Sequence, residues 1–310
     1  MEFFRHNTNF KFMGIRKFTT AFSVLISVAS IFFLVTKGLN FGLDFTGGTQ
    51  LELRFSEAVA PDAIKTHLSV HDYPEAKVAQ YGSTKDILIR LPNVAQMSEE
   101  KLGAAIVKNL QQEWPSAELR RVEFVGSEVG QQLAEQGGLA VLVALLATMI
   151  YIAIRFEYRF AISAAVALLH DPIVILGVFA FFQIEFDLAT LASILAVMGY
   201  SLNDTIVVYD RIRENFRKLR QGSVSEIIDI SINQTLSRTL MTSFLTFIVV
   251  IALFLCGGES LHGFSTAFLI GIVIGTYSSI YIAGALALGL GLSRHDLLPK
   301  AKERLMDDSP

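Results

Sequence analysis

Two charged residues sit where this chain is otherwise apolar. Asp204 lies in GYSLNDTIVVYDRIREN (199–215) and Arg238 in SRTLMTS (237–243). A charged side chain at mid-bilayer costs roughly 2.5–3.5 kcal/mol on insertion scales, so a carboxylate kept there needs a reason. A buried carboxylate can exchange a proton or bind a small cation, and a guanidinium nearby acts on that equilibrium through its charge. Asp204 falls about five residues before the end of its apolar run, and Arg238 just inside the start of the next, so at about 1.5 Å rise per residue they reach similar depths. On consecutive antiparallel helices they can face each other. The competing reading is a structural ion pair, or an arginine that snorkels to the interface.

His170-Asp171-Pro172 stands in the middle of another apolar run. Proline removes an amide and usually kinks a helix. The pair His170 and Asp171 either patches that kink or joins the same polar network as Asp204. Asn203 adjoins Asp204, and Tyr200, Asn203, Asp204 and Val207 are expected on one helix face. Arg238, Thr239, Thr242, Ser243 and Thr246 fall within roughly 140° of a helix circumference, a stripe that should face protein or a wet cavity. Asp204 and Arg238 are therefore the expected ion-coupling residues, with Asn203, Asp171, His170 and Thr242 supporting them.

Other chemistry is disfavoured. The chain has no GxSxG elbow, HExxH or Walker loop, so neither catalysis nor nucleotide hydrolysis is expected. One cysteine, Cys256, excludes an intrachain disulfide and a Cys-based metal cluster. No cofactor or metal is expected beyond a transported ion. Net charge is −3 with no basic tract, which gives no footprint for nucleic acid. Asn203-Asp204-Thr205 and Asn233-Gln234-Thr235 match a glycosylation pattern only formally. Gly271-x-x-x-Gly275 reads as helix packing.

These residues need a scaffold, and composition supplies one. The 310 residues are 52% hydrophobic and 18% charged. A spanning helix needs about 20 apolar residues. Six such spans are expected, at 17–36, 131–154, 160–182, 187–208, 237–256 and 264–291. The remaining segments are 1–16, 37–130, a loop at 209–236 and a tail at 292–310. The first apolar run is longer than a signal peptide's core and lacks a cleavage pattern, so it reads as a retained anchor. Lys and Arg concentrate at the N-terminus, at Arg155 and Arg159, in 209–238 and in the tail, while QIEFD (183–187) and CGGESLHG (256–263) carry none. The positive-inside bias then places both termini in the cytoplasm and 37–130 outside.

The outer segment reads as a folded domain. QLELRF (50–55) alternates like a half-buried strand. Pro61–Val70 reads as a helix with proline in its first turn. Ala76–Tyr81 and Ile87–Leu91 read as strands joined by a turn at 82–86. Ser98 opens a second helix, and Leu119–Val125 is the last strand. The order β-α-β-β-α-β is ferredoxin-like. The bridge 126–136 is expected to enter the second span as one helix. Gly47-Gly48, where the first span meets this domain, is either a hinge or an ordinary tight turn.

GLDFTGGT (42–49), HDP (170–172), GYSLNDTIVVYDRIREN and SRTLMTS, in this order, resemble the SecF family, membrane subunits of the bacterial Sec protein translocase. The bridge VGSEVG (125–130) is similar to the family's VGPxVG, with Ser127 in the place of proline. The resemblance covers nearly the whole chain. It implies a SecD partner with a similar six-span body, the pair resembling transporters of the resistance-nodulation-division type. It implies association with the SecYEG channel, indirectly with the ATPase SecA, with the YajC and YidC membrane proteins and with the unfolded precursor in transit. It implies a bacterial inner-membrane location and late export steps driven by proton or sodium flow. In that family Asp204 and Arg238 correspond to an intramembrane aspartate and a functional arginine. A small-molecule exporter half and a passive scaffold are the alternatives.

Overall fold

The structure, a computed structural model, describes residues 8–71, 73–92, 99–219 and 221–292, with the backbone alone at 99–101 and 259. Ser98, Arg220 and the chain beyond Leu292 fall outside the described residues.

Six helical segments among the described residues are long and apolar enough to cross a membrane. α1 is Arg16–Thr36, preceded by a tight turn at Phe12–Ile15. α5 is Ser127–Arg155, α6 is Tyr158–Phe182, α7 is Leu188–Lys218 and α8 is Val224–Cys256. The sixth segment is α9 (His262–Tyr277), a π-helical turn (Ser278–Ile282) and α10 (Ala283–Gly289). Burial is uneven. α6, α7 and the α9–α10 segment form the centre, and α1, α5 and α8 leave most side chains on the outside. Water is not the solvent here, so outward apolar residues are the normal state of a membrane-facing helix.

Two helices run past the expected ends of their spans. The segment 209–236 is not a loop: α7 continues to Lys218 and α8 begins at Val224. Arg211 and Lys218 bond Glu214 one turn away, which supports an exposed helix. Ser223 and Glu226 form a reciprocal cap at the start of α8. Between the two extensions Ile212 and Phe216 pack in one cluster with Ile227, Ile228 and Ile232. The charge-rich sequence hid this apolar seam.

Between α1 and α5 lie β1 (Asn40–Phe41), α2 (Leu43–Thr46), β2 (Gly48–Arg54), α3 (Pro61–Val70), β3 (Lys77–Tyr81), β4 (Ser83–Leu91), α4 (Glu99–Leu110) and β5 (Glu118–Val125). The last four strands form an antiparallel sheet in the order β3-β4-β2-β5, with Thr49 opposite Leu91 and Arg54 opposite Asp86. Leu51, Leu53, Ile87 and Ile89 point to one face, where Ile64 and Leu68 of α3 and Ile106 and Leu110 of α4 cover them. The expected turn at 82–86 is shorter than the sequence suggested. Gly82 alone, at φ +73°, turns the chain, and Ser83–Asp86 already belong to β4. These polar residues lack apolar alternation because this end of the strand projects beyond the helices. Arg54 holds it through two bonds to Asp86, at 2.6 and 2.9 Å.

The sheet is tied to the membrane body at one corner. β1 pairs in parallel with β6 (Glu185–Phe186), in the turn between α6 and α7. Arg90 of β4 pairs with Glu185. The backbone N–H of Leu188, the first residue of α7, donates to Asp44 Oδ2 at 3.0 Å. Gly47 (φ +66°) and Gly48 (φ +123°) sit in the same corner. A β-carbon on Gly47 would lie 3.0 Å from Ser127 Cα, and one on Gly48 would press on the Leu91 carbonyl. The pair is a close-packed crossing that only glycine can occupy.

Candidate functional site

α7 is amphipathic in an inverted sense. Its buried face carries Ser193, Val197, Ser201, Asp204, Thr205, Val208 and Tyr209. The opposite line, Ala192, Ala196, Gly199 and Asn203, is exposed. Neighbouring residues on a helix point about 100° apart, so Asn203 and Asp204 do not share a face as expected. Asp204 turns into the bundle, where it is 4% exposed, and Asn203 turns out.

Asp204 Oδ2 is buried and has no hydrogen-bond partner among the described residues. Arg238, on α8, is exposed, and its charge reaches Asp204 across space. The two therefore interact without a clamped ion pair. The polar stripe on α8 also divides. Ser243 accepts from Tyr200 of α7 at 3.0 Å and lies 2.7 Å from Thr276 Oγ1 of α9. Thr242 does not join a network with its neighbours, because its hydroxyl donates back to the carbonyls of Arg238 and Thr239 in its own helix. Such local bonds are the usual resort of a threonine in a helix.

His170 and Asp171 lie in a second polar cluster, at the junction of α6, α7 and the π-helical turn. Asp171 is fully buried. Its Oδ2 accepts from Ser201 at 2.5 Å and from Ser278 at 3.0 Å, and its Oδ1 lies 3.1 Å from His170 Nδ1. Ser279 donates to the Ser201 carbonyl and lies 3.0 Å from Thr205 Oγ1. α6 continues through Pro172 to Phe182. The bonds of Asp171 run to α7 and the π-helical turn, so the cluster is an interhelical junction. A β-carbon on Gly275 would sit 3.0 Å from Ser201 Cβ and 3.5 Å from Asp171 Oδ2, so the small residue of the GxxxG pair clears room for the cluster. One on Gly271 would collide with Val197, which makes that glycine a packing residue as expected.

Sequence reasoning missed Ser201, Thr205, Ser278 and Ser279. The available signal was Ser278-Ser279 inside an apolar span, where two adjacent hydroxyls need partners. Among the described residues no group of three or more His, Cys, Asp or Glu is placed to hold a metal.

Comparison with known proteins bears on both the scaffold and the site. Residues 105–293 match the family model "Protein export membrane protein SecD/SecF, C-terminal", and residues 32–59 match the "SecD/SecF GG Motif". The chain is 51% identical to the protein translocase subunit SecF of Vibrio alginolyticus, covering 94% of this chain and 93% of that one. It is 44% identical to the SecF subunit of Pseudomonas aeruginosa, covering 96% and 97%. Its fold is similar to the crystal structure of SecDF from Thermus thermophilus, a translocon-associated membrane protein, with a TM-score of 0.84 and 36% identity over 92% of this chain. The chain spans 39% of that longer protein. The five spans from α5 onward, the GG crossing and the polar motifs of α6, α7 and α8 fall within the residues matched by the two family models, and the chain belongs to the SecF family of protein translocase subunits.

Proposed function

We propose that this subunit couples a flow of protons or sodium ions to late, ATP-independent steps of protein export, with Asp204 as the ion acceptor and Arg238 as the charge that senses its state. The observation that carries the reading is a buried carboxylate oxygen without a hydrogen bond, beside an arginine that does not clamp it. A structural pair would be closed and hydrogen-bonded. An open one can bind and release. One elementary charge moving through 100 mV supplies about 2.3 kcal/mol, enough to shift a two-state equilibrium well over tenfold.

The partner is a SecD-type subunit. Asn203 and Arg238 turn out of the bundle at depths where lipid is a poor solvent for them, so a second protein covers that side. The complex sits in the bacterial inner membrane beside a SecYEG channel, with SecA acting earlier and with YajC and YidC as neighbours. Both termini are cytoplasmic. The β-α-β-β-α-β unit is an extracytoplasmic ferredoxin-like domain that meets the unfolded precursor. The Asp44 and Arg90 contacts at the outer end of α7 are the mechanical path from Asp204 to that domain.

The test is precursor transport into vesicles carrying a membrane potential, with Asp204→Asn in the intact complex. Expected is loss of the ion-driven stimulation while the partner still co-purifies. Undiminished stimulation leaves only a passive scaffold. Collapsing the proton and the sodium gradient separately identifies the ion.

A further inference from the structure

We infer that His170 is a second proton-binding site in the membrane body, with the proton taken up at Nε2 and the charge held by Asp171. The case begins with Asp171, which is fully buried yet well supplied with donors: Ser201 at 2.5 Å and Ser278 at 3.0 Å on one oxygen, His170 Nδ1 at 3.1 Å from the other. An ionised carboxylate only accepts hydrogen bonds. Two hydroxyl donors on Oδ2 suit the anion, and the anion requires the hydrogen of the ring to be on Nδ1. That assignment leaves Nε2 as the free lone pair of a neutral imidazole. Nε2 is buried and has no partner among the described residues. A buried polar atom without a partner calls for a physical account.

Proton uptake supplies one. A hydronium ion gives its proton to Nε2; an N–H bond forms, an O–H bond breaks and water leaves. The imidazolium then stands against the Asp171 carboxylate, and the net charge of the pair goes from −1 to 0. Release reverses each step. The cluster is built to hold the carboxylate still while this happens. Adjacent residues of an α-helix point about 100° apart, yet Ser278 and Ser279 are both fully buried. The π-helical turn lets Ser278 reach Asp171 while Ser279 reaches Thr205 and the Ser201 carbonyl. Such turns recur at functional sites.

The site is separate from Asp204 but adjacent to it, since Ser201 bonds Asp171 and lies one turn from Asp204 on the same buried face of α7. Within the apolar middle of the helices packed on α6, the acidic and basic side chains are His170 and Asp171 of α6 and Asp204 of α7. The remaining titratable side chains there are Tyr151, Tyr200, Tyr209, Tyr277 and Tyr281. Arg238 stands beyond, on α8. A change of charge at His170 is therefore felt first by Asp171, whose partner Ser201 lies one turn from Asp204.

The role in coupling rests on the Asp204 reading; the titration does not. The experiment uses the complex with its partner in lipid nanodiscs, with ¹⁵N-labelled histidine followed from about pH 5 to 9, the window in which histidine switches charge. One ring signal is expected to move from a bare to a protonated Nε2, to be missing in His170→Asn, and to persist in Asp204→Asn. The titration is read on the parent, and His170→Gln assigns the signal if the asparagine variant fails to assemble. His170→Asn keeps an amide donor toward Asp171 but loses the titrating atom. It is expected to co-purify with the partner and to lose the ion-driven stimulation of export. A ring that holds one protonation state across the range, or an assembled His170→Asn complex that exports like the parent, overturns the proposal. If Asp204→Asn exports like the parent while His170 still titrates, the Asp204 reading falls and the proton site stands.

Discussion

The sheet domain and the membrane body handle aspartate in opposite ways. Asp86, on β4, is gripped by two bonds from Arg54 and a third from Ser83 at 2.6 Å, near the protein surface. Asp204 has an arginine within electrostatic range and no hydrogen bond on its buried oxygen. Asp171 is wrapped by two serine hydroxyls and an imidazole rather than by a cation of fixed charge. The chain can build a closed ion pair, and it does so where such a pair matters least, since exposed pairs contribute about 0–1 kcal/mol. In the membrane body neither Asp204 nor Asp171 is closed into a hydrogen-bonded pair with an arginine or lysine. In the sheet domain apolar packing holds the fold and polar contacts trim it. In the membrane body buried polar contacts lie among apolar clusters where α6, α7 and α9 meet.

The contrast is most exposed to failure at Asp171. Asp171→Ala removes the common acceptor of Ser201, Ser278 and His170 and leaves three buried polar groups to find other partners. Breaking a buried polar pair from one side costs roughly 3–5 kcal/mol. Unfolding of the complex in detergent, followed by loss of helical signal or by aggregation on heating, should show a large fall in midpoint. A change no larger than that of a surface substitution would mean that polar contacts do not organise the helix junction.

The matching probe in the sheet domain is Ile106→Ala. Ile106 is fully buried in α4, in one cluster with Leu51, Leu53 and Ile89 of the sheet. Removing a buried isoleucine side chain costs roughly 2–5 kcal/mol. The loss should be local. Amide exchange should accelerate across β2 and β4 while the helices of the membrane body keep their protection. Equal loss of protection in α6 and α7 would show that the corner at Asp44, Arg90 and Glu185 fuses the two regions into one unfolding unit.

The contrast was legible in the sequence only in part, for a physical reason. A charge in an apolar run is visible as a residue type, so Asp204, Arg238, His170 and Asp171 stood out at once. What each one touches depends on helix rotation and depth, which neighbours decide. Asn203 and Asp204 are adjacent in sequence and point to different solvents. Ser278 and Ser279 become partners of α6 and α7 only through a change of helical pitch that no residue pattern announced. Thr242 fitted the stripe and then spent its hydroxyl on its own helix. The antiparallel sheet was more readable, because Leu51 and Leu53 alternate with polar residues as a half-buried strand must. Its least readable part was Ser83–Asp86, which is held by cross-strand charge rather than by burial.

That same end of β4 gives the smallest expected effect and the cleanest sign. Arg54 hydrogen-bonds Asp86 and, with a lesser contribution from Ser83, pulls its carboxyl from an ordinary 3.8 down to about 2. A carboxyl with a depressed folded-state value adds stability above its ordinary value, and the addition is lost as pH falls toward the depressed one. Amides of Ser83–Asp86 and their β2 partners should therefore lose protection between about pH 4 and pH 2. Asp86→Asn should show reduced protection at neutral pH and no further step in that range. Because Arg54 is exposed, added salt should shrink the difference between parent and variant. A salt-independent difference would mean that the hydrogen bonds of the pair, rather than its charges, hold the strand end. Asp86 would then be closer in kind to Asp171 than the contrast between the two regions allows.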